Sequence, residues 1–367
     1  MHQIPKGLRS FLGHCRLARF QYRIHRQYST IKPSNPSTTS RQSPVLLSYY
    51  QATKRSVLRL LIARKQTVTN LQFTRTFKMA DAEYEPGSEA AANTLSTLLE
   101  SLKTDPMVQE RAQELLLNIQ DIRSSINSAK TAAAESPRGG DDEVQLIAVS
   151  KLKPASDILA LHTAAGAEQT HFGENYIQEL WKKHAVLPTS VSWHFIGGLQ
   201  TSSISKLARI RNLYAVHSID SVKKAVTLNR LRPDDFPVVN VFVQVNTSGE
   251  DSKSGVEPDG EELWEIVSTI RKDCPKLNLL GLMTIGALAR SRAAKEGEEN
   301  EDFVTLVKVA ERLEERIGSE GGGKVELKLS MGMSDDFENA IAMGAGFVRV
   351  GSSIFGARPK KADASIL

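Results

Sequence analysis

Lys151 ends a buried apolar run in the stretch AVSKLKP, residues 148–154. A lone lysine at a strand end usually reaches solvent along its aliphatic stem. A lysine amine in an enclosed site is instead a nucleophile toward carbonyl groups. Two later stretches bear on the choice. MGMSDDFENAI (331–341) reads as a glycine-flanked turn with Ser334 opening a helix. Asp335 and Asp336 then fall in its first turn, where acids suit the helix dipole. Taken alone, Ser334 is an N-cap residue. VRVGSSIFGARP (348–359) offers Arg349, then Gly351, where a backbone can approach a ligand, then Ser352 and Ser353. Hydroxyls and N–H groups at a helix start bind an anion without a lysine. The two aspartates must point away from any anion held there.

These residues need a scaffold that brings them together. From Val144 onward, short apolar runs alternate with amphipathic stretches. The runs are 144–150, 169–174, 191–197, 213–219, 238–246, 277–286, 325–332 and 346–352. They are rich in Val, Ile and Leu and lack strict alternation, as expected of strands buried on both faces. Eight strands, each followed by helical material, predict a single (β/α)₈ TIM-type barrel. An open doubly wound sheet is the alternative, but no G-x-G-x-x-G follows the first run. Ahead of the barrel, leucine, valine and isoleucine recur at helical spacing from Asn93 to about Lys130, interrupted by Pro106. That pattern predicts two helices or one kinked helix. AESPRGGDDE (134–143) reads as a linker and 287–302 as a mobile loop. The expected boundaries are 1–79 leader, 80–143 helical extension and linker, 144–360 barrel, and 361–367 tail.

In such a barrel the chemistry collects at the C-terminal ends of the strands, and the loops after strands 7 and 8 often hold a phosphate. The strand ends read Lys151, Glu174 with Asn175, His194, His217, Asn246, Met283, Ser334, and Arg349 with Gly351 and Ser352. Met283 is expected to be packing, and an isolated histidine is more often a satisfied core residue than a catalyst. A lysine and a phosphate cradle in one mouth suit pyridoxal 5′-phosphate. Its aldehyde takes a lysine amine as a Schiff base, its phosphate takes N–H and hydroxyl donors, and Arg349 is available for the ring nitrogen.

AVSKLKP, HFGENYIQE, WHFIGGLQ, VQVNTSGEDSKSG, GLMTIG, LSMGMSDDFENAIAMG and VRVGSSIFGARP follow one another across residues 144–359. In these segments the chain resembles the pyridoxal phosphate homeostasis protein family, whose barrel is similar to the N-terminal domain of alanine racemase. The resemblance implies Lys151 as the Schiff-base lysine and Ser334, Gly351 and Ser352 at the phosphate. It also implies Arg349 near the ring and Asn175 beside the cofactor. It implies a role in holding, buffering and delivering the cofactor, with apoenzymes that use pyridoxal phosphate as partners, and no established reaction. LQTSSISKL departs from the family, with Ser203 and Ser205 where relatives often carry amides.

A racemase-like or decarboxylase-like activity is the second reading, and a phosphosugar-type barrel enzyme is the third. Racemisation needs a second base, and the chain ends fifteen residues after Ser352. No tyrosine-bearing further domain is expected, and the expected state is a monomer. Arginine stays protonated, so Arg349 can only donate to a ring nitrogen.

Charge separates the leader from the body. Residues 1–79 hold 15 of the 47 Lys and Arg and no Asp or Glu, which leaves 32 bases against 42 acids in 80–367. An acidic body argues against nucleic-acid binding. The leader is rich in Arg, Ser and Thr, as mitochondrial targeting peptides are. A translated upstream region, with the start at Met79, is the alternative. The location is accordingly cytoplasmic, mitochondrial or both. No apolar run is long enough to span a bilayer. Cys15 and Cys274 lie far apart, which excludes a disulfide framework or a cysteine metal cluster.

Overall fold

The computed structural model describes residues 85–133, 143–250, 253–287, 300–321 and 323–367. The expected leader lies outside the described residues, as do most of the 134–143 linker and the 288–299 part of the 287–302 loop. Among the described residues no helix is long and apolar enough to cross a membrane.

Pro106 splits the helical extension. Helix α1 spans Glu89–Thr104 and α2 spans Pro106–Ala132. Asp105 terminates the first and caps the second, because its carboxylate accepts from the Met107 N–H at 2.8 Å. Proline at the first position of α2 loses nothing, since that N–H has no partner within a helix.

Eight parallel strands then close on themselves in sequence order. They are β1 (Gln145–Val149), β2 (His171–Glu174), β3 (Ser192–Phe195), β4 (Leu213–Ile219), β5 (Val239–Gln244), β6 (Leu277–Met283), β7 (Lys328–Met333) and β8 (Ala345–Val350). The β1–β8 ladder, Gln145 against Phe347 through Ala148 against Val350, seals the barrel. The helices between the strands are α3 (Ala155–Thr163), α4 (Ile177–Val186), α5 (Ile204–Ala208), α6 (Val222–Leu231), α7 (Glu261–Asp273), α8 (Glu301–Ser319) and α9 (Phe337–Ala342). Helix α10 (Ser352–Phe355) follows β8.

Side chains alternate between two faces along each strand. Leu146 and Ala148 join the layer between strands and helices, with Phe172, Trp193, Val241 and Leu329. Ile147 and Val149 face inward with Ala215, Phe242, Met283 and Phe347. Met283 is therefore packing, as expected. Gly173 has room only for hydrogen, since a Cβ there would sit 2.9 Å from Ile147 Cγ2. The inward set also carries polar groups that apolar patterning does not reveal: His194, His217, Ser330 and Arg349, all buried.

Helix α10 has four residues, too few to cover the seam where the barrel closes. Helix α2 does so, packing on α3, α9 and α10. Arg111 of α2 donates to the Asp157 carboxylate at 2.7 Å and to the Phe355 carbonyl at 2.9 Å, and Asn118 donates to the Ile354 carbonyl at 2.9 Å. The N-terminal extension thus fixes the short helix that follows the last strand.

Candidate functional site

The inward phase of β1 continues past Val149 to Lys151, and the chain turns there. Lys153 N–H donates to the Ser150 carbonyl at 3.0 Å, closing a tight turn over 150–153. Leu152 occupies its third position with φ 61°, a conformation that favours glycine and costs a branched side chain about 1–2 kcal/mol. The surroundings hold it. Leu152 N–H donates to Glu179 Oε1 at 2.7 Å, and its side chain is buried. Lys183, fully buried, donates to Glu179 Oε1 at 2.6 Å, Glu174 Oε1 at 2.7 Å and the Ser150 carbonyl at 2.9 Å. Ser150 Oγ adds a bond to Glu174 Oε1 at 2.6 Å. One buried ammonium thus ties β1, β2 and α4 together beneath the turn that presents Lys151.

The two lysines of AVSKLKP have different fates. Lys153 Nζ donates to the carbonyls of Phe355 and Ala357, at 2.8 and 2.7 Å, so it caps the end of α10. Burial, then Arg111, push its pKa down to about 8. Lys151 is half-buried, and its pKa falls below the usual lysine value through burial first and the Arg358 charge second, against the pull of Glu174 and Glu179. A depressed pKa raises the share of neutral amine, the form that attacks a carbonyl. Glu174 lies fully inside, where burial raises its carboxyl to about 7 against the opposing effect of Lys183.

Beside Lys151, across the β8–β1 seam, Gly351 N–H donates to Ser334 Oγ at 3.2 Å. Ser334 and Gly351 are therefore adjacent, as a shared anion site requires. Ser334 does not open a helix, however. Helix α9 begins at Phe337 with Asp336 as its cap, so both acids precede it. Within β7, Gly332 takes φ 87°, where the pairing with β8 shifts register. Asp336 is buried and accepts from the Met333 N–H at 2.6 Å. That bond turns its carboxylate back into the β7–α9 turn. At Gly351 the positive-φ region is not used, but a Cβ would sit 3.3 Å from the Val149 carbonyl and 3.5 Å from Arg358 Nη2. Ser352 and Ser353 are exposed at the start of α10. Its ladder begins with Ile354 and Phe355 N–H donating to the Gly351 carbonyl, so the earlier N–H groups are open donors. Arg358 brings a guanidinium to the same place.

Arg349 projects into the barrel from β8. It donates to Ser330 O at 2.7 Å and Ser330 Oγ at 2.8 Å from Nη1, and to Thr284 O at 2.7 Å from Nη2. Of its five donors, those bonds leave Nε–H and one Nη2 hydrogen. Burial lowers its pKa to about 10, so it remains a cation at neutral pH. Asn175, just beyond β2, has a buried Oδ1 with no hydrogen-bond partner. Its backbone carbonyl lies 2.0 Å from where a Cβ on Gly197 would be, so only glycine fits opposite it. A cleft of about 220 Å³ opens over the ends of β5 and β6, lined by Asn246, Thr247, Thr284 and Gly286 among others. Thr284, whose carbonyl binds Arg349, connects that cleft to the site.

His194 and His217 are not at the mouth, where strand-end reading puts them. Both sit within their strands, fully buried and bonded to one another at 2.9 Å. Sequence reading missed Glu179, Lys183, Ser330 and Arg358. Glu179 and Lys183 have the i, i+4 spacing of a surface helix pair, and only the three-dimensional fold turns that pair inward.

The alanine racemase N-terminal domain family matches residues 117–359, which include every one of these site residues. The fission yeast Schizosaccharomyces pombe pyridoxal phosphate homeostasis protein is 40% identical over 245 residues, 67% of this chain and 96% of its own. That of Caenorhabditis elegans is 40% identical over 258 residues, 69% of this chain and 98% of its own. The chain belongs to the pyridoxal phosphate homeostasis protein family. A solved relative, PipY of Synechococcus elongatus with PLP bound, superimposes with a TM-score of 0.50 at 27% identity, over 66% of this chain and 100% of its own. In the present chain, Lys151, the Ser334–Gly351 pair and Arg349 occupy one end of the barrel. The barrel itself is the expected (β/α)₈ fold with helices ahead of it.

Proposed function

We propose that this chain holds pyridoxal 5′-phosphate at Lys151 and supplies it to apoenzymes, contributing to vitamin B6 homeostasis without substantial catalysis of its own. The observation that carries this reading is the placement of a free, pKa-depressed lysine beside an anion cradle. Lys151 Nζ has no hydrogen-bond partner among the described residues, whereas Lys153 is committed to two carbonyls. Pyridoxal phosphate supplies an aldehyde for a lysine amine, a phosphate, and a ring nitrogen that accepts a hydrogen bond. The donor set fits each. Ser334 Oγ, the Ser352 and Ser353 N–H groups and the Arg358 charge suit the phosphate. The remaining Arg349 donors suit the ring nitrogen, and Asn175 has an unused acceptor for a polar group beside it.

The same residues favour holding over turnover. A guanidinium gives up no proton to the ring nitrogen, so Arg349 positions the ring without strengthening it as an electron sink. The carboxylates nearest Lys151, Glu174 and Glu179, are bound to Lys183 and the turn, which commits them to structure. The racemase-like reading needs, besides Lys151, a second base free to reach a substrate α-carbon.

The test has two halves. Purified chain loaded with pyridoxal phosphate should restore activity to an apoenzyme faster than cofactor shed into solution can. L-alanine added in deuterium oxide should show no α-proton exchange by NMR at ordinary enzyme rates, on the order of 1–1000 per second. Rapid exchange abolished by Lys151→Ala would replace the carrier with the racemase-like reading.

A further inference from the structure

Beneath the site, three imidazoles from neighbouring strands form a continuous hydrogen-bonded line through the barrel. His171 Nδ1 lies 2.8 Å from His194 Nε2, His194 Nδ1 lies 2.9 Å from His217 Nε2, and His217 Nδ1 lies 2.9 Å from Ser330 Oγ. Ser330 Oγ in turn accepts from Arg349 Nη1 at 2.8 Å. The line begins at the first residue of β2, near the bottom of the barrel, and ends at the arginine under the mouth. His194, His217 and Ser330 are fully buried. Phe242 stacks on His217 at 4.3 Å, and Tyr214 lies 4.9 Å from His194 and 4.8 Å from His171. The ionisable groups facing the line are Arg349 at one end and Tyr214 beside it.

Proton counting gives the line a direction. Burial drives His171 down to about 4, and drives His194 and His217 well below the usual histidine value, with Arg349 adding repulsion at His217. All three rings are therefore neutral, each with one N–H and one lone pair. Ser330 Oγ already accepts from Arg349, and its own proton finds its acceptor at His217 Nδ1. His217 must then carry its proton on Nε2 and donate to His194, which does the same toward His171. The opposite order strands the serine proton in a sealed interior, at a cost of about 1–3 kcal/mol. With this order every link donates away from Arg349. The bond dipoles add, with their negative ends toward the guanidinium, as carbonyls do at a helix C-terminus.

We propose that Ser330, His217, His194 and His171 are positioning residues for Arg349, a one-way hydrogen-bonded line that fixes the guanidinium as a donor toward the cofactor's ring nitrogen. The inference rests on the reading that Arg349 faces that nitrogen. The other elements of the site do not need it, because Lys151 and the Ser334–Gly351 cradle are held by different residues.

Two measurements test it. In the unmodified full chain, ¹⁵N NMR of the histidine rings reads the line without any cofactor. His194 and His217 should each carry one proton, on Nε2, at pH 7. A proton on Nδ1, or on both nitrogens, of either ring overturns the proposal. The second measurement compares pyridoxal phosphate with its analogue in which carbon replaces the ring nitrogen. A charged hydrogen bond to that nitrogen should make the wild-type chain prefer pyridoxal phosphate by about ten- to a hundredfold. Ser330→Ala should reduce this preference at least severalfold, and Ser330→Thr, which keeps the hydroxyl, should retain more of it. Borohydride trapping at Lys151 should survive in both variants. A preference retained in full by Ser330→Ala overturns the line. No preference in the wild type refutes the placement of Arg349 itself, and the line's proposed role with it, whatever the NMR shows.

Discussion

At the scale of single residues, the proposed function separates groups that bind from groups that hold the binders in place. On that proposal Ser334 is of the first kind. Its hydroxyl accepts from Gly351 N–H and keeps its own proton for a ligand. Ser334→Ala removes a donor to a charged phosphate, worth about 1.5–3 kcal/mol, so pyridoxal phosphate should bind roughly ten- to a hundredfold more weakly. Pyridoxal, which lacks the phosphate, should lose far less in the same titration; equal losses would make Ser334 a structural residue only. Glu174 is of the second kind. Its buried carboxyl, raised from 4.5 to about 7, holds a proton more tightly in the folded state than in the unfolded. Its stabilising contribution is therefore complete below about pH 4.5 and is lost as pH rises through about 7. Urea denaturation of wild type and Glu174→Gln should show the wild type's relative stability falling across that window. A difference independent of pH would contradict the assignment. Lys151, Ser334, Arg349 and Gly351 were legible as candidates because each stands at a strand end or turn with a marked residue type. Lys183 and Arg358 were not. A lysine in an amphipathic helix and an arginine in a tail look solvated until the fold brings them to the turn and the cradle.

At the scale of elements, the eight strands were legible from their apolar runs, and β4 was read to the residue, Leu213–Ile219. Other ends drifted by up to three residues. Apolar character continues into the turns, as in LNLLGLMTIG, whose strand stops at Met283. The start of α9 was misplaced because Ser334 has an N-cap side chain. Asp336, two residues on, takes the cap position, with its carboxylate folded back onto Met333 N–H. The role of α2 was also hidden. Its sequence shows an amphipathic helix, whereas its function is to anchor α10 through Arg111 and Asn118. Arg111→Ala leaves the Asp157 carboxylate, 6% exposed, without its guanidinium partner. The expected cost is about 1–3 kcal/mol, measurable as a lower urea midpoint. Phosphate-dependent affinity should weaken in the same variant as the short helix loosens. Unchanged stability would show that α2 does not support the cradle.

At the scale of the whole molecule, the barrel places Lys151 and Gly351, which binds Ser334, on opposite sides of one closing seam, β1 and β8. The strained turn at Leu152 is held from below by Lys183, and the cradle is held from outside by α2. The interior line of histidines was not legible as a unit. Sequence shows three isolated histidines, 23 residues apart in each step, and only barrel closure aligns them with Ser330 and Arg349. The central claim is that this scaffold exists to present Lys151 to pyridoxal phosphate. The most direct measurement is borohydride reduction of the cofactor-loaded chain, followed by peptide mapping. The cofactor should be found on Lys151, and Lys151→Ala should leave none covalently attached. Attachment at Lys153, two residues away and already bonded to two carbonyls, or attachment at no lysine, would contradict the account.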